Sequence, residues 1–285
     1  MDDVETSMMT RLDKRWFASL ALDFSLQRER TTLVGKRHTG PLVVQKMLYP
    51  EGDKVCHGII IHPPGGVAGG DQLLLQSSLK QGAQALLTTP GAGKWYKANG
   101  QAASQQLKFD LEPGASLEWL PQENILFDGS SVGFSAEIVL QGDAVFCGWE
   151  ILCFGRQARG EAWSEGELQQ GLSIRRDQRL IWNERMFLHP QSRVLKSVAG
   201  LRGFPVSASL VVAAGTVPAD VLEACRMIEA DQESQYGVTA LPEIFSARYI
   251  GSSSEAAKQY FERLWQLLRP WYAGRAAVRP RIWNT

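Results

Sequence analysis

The sequence has no surplus of charge of either sign: thirty Lys and Arg offset thirty Asp and Glu over 285 residues, with a pI near 6.9. That balance excludes a broad electrostatic grip on nucleic acid or on an anionic membrane surface. Cysteine is scarce, at four residues, too few to staple a disulfide scaffold of this length. No apolar run reaches the roughly 20 residues that cross a bilayer. The longest weakly polar stretch, Phe204–Ala219, is cut by Pro205, Gly215 and Pro218. Met1–Arg15 carries Asp2, Asp3, Glu5 and Asp13 and no apolar core behind a basic start, so no export signal is expected. A soluble, cytoplasmic protein is the expectation.

Signatures of nucleophilic and nucleotide chemistry are also missing. There is no Gly-x-Ser-x-Gly elbow. Cys56 and His57 are neighbours, so on a strand they face opposite ways. No Cys/His group has structural-zinc spacing. His62-Pro-Pro-Gly-Gly-Val-Ala-Gly-Gly-Asp71 is rich in glycine, but a strand follows it where a phosphate cradle needs a helix amino terminus. Gly91-Ala92-Gly93-Lys94 fails as a P-loop, with Thr88 in the place of its first glycine and Trp95 in the place of the magnesium-binding hydroxyl. His62, before Pro63, reads as a turn histidine.

What the chain does have is 44% apolar residues in a period of two. Trp16, Ala18, Leu20, Leu22, Phe24 and Leu26 alternate with polar or small neighbours, as a half-buried strand requires. Similar segments recur, among them Leu42–Leu48, Ala144–Phe154, Leu168–Ile174, Leu180–Leu188, Val194–Val198 and Val206–Ala213. A weak repeat overlies them: Gly82, Gly114, Gly142 and Gly171 are spaced by 32, 28 and 29 residues, with Gly52 lying 30 before the first. The repeat reads as a stacked strand–turn–strand unit. The expectation is a mainly β fold, a distorted two-layer or β-helix-like stack, in a single domain over 1–285. Strands occupy about 16–215 and 244–250. Helices are expected at about 217–231, with Pro218 in its first turn, and 254–269. The second carries a capping-box spacing at Ser252 and Glu255 and an apolar stripe, and Pro270 is expected to stop it.

Three carboxylates keep apolar company. Glu184 shares a strand face with Leu180, Trp182, Met186 and Leu188. Glu150 shares one with Phe146, Leu152 and Phe154, and Asp71 opens the face of Leu73 and Leu75. An unpaired buried carboxylate costs several kcal/mol or takes up a proton, so each needs an arginine, backbone N–H groups, water or a cation. Arg156, Arg159, Arg175, Arg176 and Arg185 are the candidate ion-pair partners.

The chain resembles the urease accessory protein D family, also called urease accessory protein H. The resemblance rests on motifs in order: Gly40-Pro41-Leu42; His62-Pro-Pro-Gly-Gly with Gly69-Gly70-Asp71; Thr89-Pro90-Gly91-Ala92 followed by Lys94; and Leu117-Glu-Trp-Leu-Pro-Gln122. Gly155-Arg156, Gly160-Glu161, Leu267-Leu268-Arg269-Pro270 and Pro280-Arg281-Ile282-Trp283 complete the series. Gly93 is a departure, since some members carry serine there. The resemblance implies a non-enzymatic scaffold that acts with urease accessory proteins F and G, the latter a GTPase. It implies binding of the urease apoprotein and installation of its two nickel ions.

Under that implication Asp71, Glu150 and Glu184 are expected to line a wet passage for transient nickel, with no permanent cofactor. Sparse oxygen ligands hold nickel less tightly than imidazole or thiolate sites do. Glu118, Glu123 and Asp128 are weaker candidates, their neighbours suggesting loop or surface. Trp265, Trp271 and Trp283 are candidates for a partner-docking face, with packing of the last helix as the alternative. Two further readings stay open: a hydrolase using Glu150 and Glu184 as an acid/base pair, and a structural adaptor without a metal route.

Overall fold

The structure is a computed structural model that describes residues 16–284. The acidic stretch Met1–Arg15, where an export signal is not expected, lies outside the described residues. The chain runs β1 (Phe17–Gln27), β2 (Arg30–Thr39), β3 (Val43–Val44), β4 (Val55–Ile61), β5 (Gln72–Leu79) and β6 (Gln84–Thr88). There follow β7 (Gly93–Trp95), β8 (Ala103–Leu111), β9 (Ser116–Trp119), β10 (Asn124–Leu126), β11 (Ser130–Leu140) and β12 (Val145–Phe154). Then come β13 (Gly166–Arg176), β14 (Arg179–Leu188), helix α1 (Arg193–Lys196), β15 (Val206–Ala213) and helix α2 (Ala219–Arg226). The chain closes with β16 (Gln235–Ala240), β17 (Ile244–Gly251) and helix α3 (Ser254–Ala273).

From β4 to β13 the chain alternates between two sheets, the short strands β7 and β10 adding a side branch in which β10 pairs with β7 and β12. One sheet has the order β14-β13-β11-β8-β5-β1-β2, and the other runs β16-β17-β15-β12-β9-β6-β4-β3. Coil on coil, β5, β8, β11 and β13 pair in parallel, as do β4, β6, β9 and β12. The fold is mainly β with solenoid-like stacked coils, as the alternation and the glycine spacing predict.

Turns along one edge of the stack show why the repeat carries glycine. Gly82, Gly114 and Gly142 have φ of 71°, 71° and 55°, a left-handed region costly to residues with a Cβ. Each turn is tied to the next coil. The Gly82 N–H donates to the Pro113 carbonyl at 3.1 Å. Glu112 accepts from the Gln81 N–H at 3.0 Å, Asp143 from Gly114 at 2.7 Å and Asp177 from Gly142 at 2.9 Å. Gly171 does not continue the series. It lies inside β13 opposite Arg185, and the fourth turn falls at Asp177 and Gln178, both left-handed.

Two apolar layers follow from the strand alternation. Ala18, Leu20, Leu22 and Phe24 of β1 meet Leu117, Phe146, Leu152 and Phe154 of the opposite sheet in the space between sheets. Cys147, Trp149, Ile151 and Cys153, on the other face of β12, pack with Tyr260, Phe261, Leu264, Trp265 and Leu268 of α3. Each large apolar side chain so buried contributes about 1.5–3 kcal/mol.

Several local expectations are corrected. Val194–Val198 is not a strand: residues 193–196 form α1. Leu42–Leu48 keeps only Val43–Val44 as strand. The helix expected at 217–231 spans only Ala219–Arg226, with Pro218 as its N-cap, and β16 follows it. α3 is capped by Ser253 rather than Ser252, its side chain accepting from the Ala256 N–H at 3.1 Å. Pro270 does not stop this helix, which runs on to Ala273 and ends on left-handed Gly274. Proline removes only one helical N–H bond, and the last turn is held elsewhere, by Tyr272 against Glu118.

Candidate functional site

Between the two sheets lies a cavity of about 370 Å³. Leu73, Leu107, Phe109 and Phe134 on one sheet and Trp119, Phe146 and Val211 on the other form its apolar wall. One end is built from the glycine-rich loop His62–Val67 and from Thr89–Trp95. The loop is compact of necessity. A Cβ on Gly66 would collide with the Tyr96 ring, and one on Gly69 would sit 2.8 Å from the Gln101 carbonyl oxygen. A Cβ on Gly93 would collide with the Asn124 side chain, whose Oδ1 accepts from the Trp95 indole N–H at 2.9 Å. A serine at this position would have to displace Asn124.

Asp71 closes that loop. Its carboxylate accepts from the Ala68 N–H at 3.0 Å and the Trp16 N–H at 3.4 Å, while its own N–H donates to the Ala68 carbonyl. Asp71 is therefore held by backbone donors and is not among the residues lining the cavity. His62 does line it. Burial pushes this imidazole below its ordinary value, against the pull of Asp71, so at neutral pH it presents a neutral nitrogen donor in the cavity lining.

Glu150 and Glu184 both line the cavity. Glu150 projects inward because it alternates on β12 with the helix-facing Trp149 and Ile151. Its carboxylate accepts from the Gln170 amide, which reaches across from β13. Burial raises the Glu150 carboxyl to about 7, against the smaller opposing effect of the Gln170 hydrogen bond. Glu184, on the edge strand β14, forms an ion pair with Arg248 of β17 in the opposite sheet. None of the five arginines weighed from sequence reaches these acids. Arg156 holds Glu161, and Arg176 holds Glu243 at 2.9 Å. Of the three acids, then, Glu184 has a guanidinium partner, Glu150 an amide and Asp71 backbone N–H groups.

The structure also reveals a buried ionic cluster on the other face of the second sheet. Arg269 of α3, 1% exposed, lies between Glu118 of β9 and Glu51, each 4% exposed. It donates to Glu51 at 2.6 and 2.8 Å and to Glu118 at 2.8 and 3.1 Å. Glu118 further accepts from the Trp265 indole at 2.7 Å and the Tyr272 hydroxyl at 2.5 Å. Glu51 is joined by His57 at 2.6 Å. Burial raises the Glu51 carboxyl, but its bonds to His57 and Arg269 outweigh this and hold it below its ordinary value. Burial opposes the Arg269 charge, yet the two carboxylates drive its pKa upward.

Glu118 is thus a core residue of a central strand, not the loop or surface residue its neighbours suggested. Its partner stands 151 positions away. Asp128 organises a loop, accepting from the Ser164 and Glu165 N–H groups at 2.6 and 2.9 Å. Glu123 is half-buried, and its carbonyl accepts from the Gly93 N–H.

Two of the three tryptophans weighed as a docking face are committed to the core. Trp265 bonds Glu118. Trp283 donates to Thr88 at 2.7 Å and packs against Trp149 and Trp265 with ring centroids 5.5 and 5.9 Å apart. Trp271 is half-buried beside Tyr272. Among the described residues, no group of three or more His, Cys, Asp or Glu is arranged to hold a metal ion, and no helix is long and apolar enough to cross a membrane.

Stacked coils around an acid-bearing cavity, backed by a helical layer, define a protein of β-solenoid-like fold. A family model described as UreD urease accessory protein matches residues 17–284. A urease accessory protein UreD of Methylobacillus flagellatus is 72% identical over 285 residues, covering 100% of both chains. Those of an Azoarcus species and of Dechloromonas aromatica are each 48% identical, covering 95% of this chain and 94% and 95% of theirs. The chain belongs to the UreD urease accessory protein family, and its role lies in urease maturation.

Proposed function

We propose that this chain is a non-enzymatic, cytoplasmic chaperone of urease maturation, and that its intersheet cavity passes nickel. In this reading it binds the urease apoprotein together with accessory proteins F and G, and GTP turnover by G accompanies nickel insertion. The supporting observation is that Glu150 and Glu184 share one cavity whose other end is the glycine loop with His62. Nickel meets few donors there, all oxygen or single nitrogen, set in an apolar wall. Such a lining attracts a dication without retaining it, because tight nickel sites need several imidazole or thiolate ligands at once. Asp71 enters this reading as the anchor of the mouth loop.

The hydrolase alternative also requires both acids in one cavity, so the cavity alone does not choose between them. Arg248 engages Glu184 and leaves Glu150 without a free acid partner, and the family is one of accessory proteins. The test replaces Glu150 or Glu184 by Ala in the full accessory complex and measures the nickel content of the urease produced. The reading expects less nickel with assembly intact. Unchanged nickel loading favours the structural adaptor, and failed assembly favours a purely structural role for these acids.

A further inference from the structure

The polar groups near the inner end of the cavity form a row. Glu150 of β12 is in register with Ser209 of β15, and Ser209 is in register with Arg248 of β17. Arg248 is in turn in register with Gly237 of the edge strand β16. The row thus runs across the sheet from the cavity to its margin. Its side chains share the intersheet face. On β17, Ile250 and Ile244 pack between the sheets, whereas Phe245, Ala247 and Tyr249 pack toward α3. The opposite wall runs in parallel. Gln170, which bonds Glu150, lies two residues from Leu172, the cross-strand partner of Glu184 on edge strand β14.

At the margin the row ends in a charge and then in open space. The Arg248 side chain is 55% exposed and Glu184 22%. Beyond them Gly237 has no side chain, and a Cβ placed there would meet nothing within 4 Å. Ser209 and Glu184 line the cavity itself, and Arg248, which does not, reaches Glu184 from its half-exposed place beside them. Burial lowers the Arg248 pKa from its ordinary value, but no realistic shift discharges a guanidinium at neutral pH.

We propose that Arg248 is a charge gate on a second, lateral opening of the cavity. Its guanidinium occupies Glu184 and repels an arriving dication. When it swings away from Glu184, the opening beside Gly237 gains a free carboxylate in place of a fixed positive charge. This rests on the nickel-path reading and adds to it the exit and the residue that controls it. Arg248 here is a positioning residue that acts through Glu184. Its half-exposed side chain can leave by rotamer change alone, with no movement of β17 required.

The test uses the full-length protein in its accessory complex, with Ni²⁺ alone as the probe in equilibrium dialysis, and scores urease nickel content in parallel. Arg248→Gln removes the charge and frees Glu184, and should tighten Ni²⁺ binding about tenfold, the size of effect one neighbouring charge exerts on an ionisable site. Arg248→Lys keeps the charge and should restore weak binding. Gly237→Trp fills the open end, and should lower nickel incorporation about fivefold or more while assembly and melting temperature hold, because the Cβ meets no neighbour.

Unchanged Ni²⁺ affinity in Arg248→Gln, or equal tightening in Arg248→Lys, overturns the gate. Full incorporation in Gly237→Trp overturns the lateral exit. Glu150→Ala, run beside them, separates the two levels. If it lowers incorporation while the Arg248 and Gly237 variants do nothing, the path stands and the gate falls; if it too is silent, the path itself falls.

Discussion

Arg269→Ala provides the sharpest test of how this fold is fastened. The guanidinium is 1% exposed and is shared by two carboxylates that are each 4% exposed. Removing it leaves those two buried carboxylates without the guanidinium they share. Breaking a buried pair in this way costs about 3–5 kcal/mol. For a chain of this size, at roughly 2–3 °C per kcal/mol, that lowers the melting temperature by about 6–15 °C.

The pH dependence identifies the cause. In the native protein the Glu51 pKa is held below its unfolded value. Its contribution to stability is therefore complete above the unfolded value and is lost as pH falls through the lowered folded value. In the variant, burial acts on Glu51 without Arg269, and its carboxyl protonates more readily. The deficit relative to the native protein should be largest at neutral pH and should shrink as pH falls toward 5. Urea or thermal unfolding of both proteins across that range measures it. A deficit below about 1 kcal/mol, or one that does not vary with pH, would refute the claim that Arg269 fastens the cluster through ionised Glu51.

Glu150 should show the opposite sign. Its folded pKa, raised to about 7, lies above the ordinary carboxyl value, so its contribution to stability is complete below the unfolded value and is lost as pH rises toward 7. Glu150→Gln should flatten that slope in pH-dependent unfolding. On the nickel-path reading, Ni²⁺ uptake by the native complex should rise with pH through about 7, and a pH-independent uptake would count against Glu150 as a ligand. The tryptophans separate by burial. Trp283→Ala should cost about 3–5 kcal/mol in unfolding experiments, because it empties a core site packed on Trp149 and Trp265. Trp271→Ala should leave stability nearly intact. If it weakens co-purification with accessory protein F, Trp271 belongs to a docking face, and unchanged co-purification removes it from one.

Period-two alternation made the strands legible because each strand shows one face to the intersheet core and one to helix or solvent. That rule placed β1, β12, β14, β15 and β17 within a residue or two of their observed bounds. The same rule misread Val194–Val198, a short apolar stretch whose chain direction is set by tight hydrogen-bonded turns around α1. The coil repeat was visible at Gly82, Gly114 and Gly142, since left-handed turns demand glycine, and invisible at Asp177 and Gln178, which adopt the same conformation with side chains.

By itself, the sequence determined that the protein is a neutral, mainly β chain with acids on apolar strand faces, and its motif order carried the family. Those properties follow from residue type and spacing along one strand, which is local information. Only the tertiary structure decided the partners: Gln170 for Glu150, Arg248 for Glu184, and Arg269 for Glu118 and Glu51. Each pairing joins opposite sheets, or a helix to a strand or turn, across distances in sequence that no periodicity encodes. A buried charge requires some partner, but which one it receives depends on how the coils stack and where α3 settles on them.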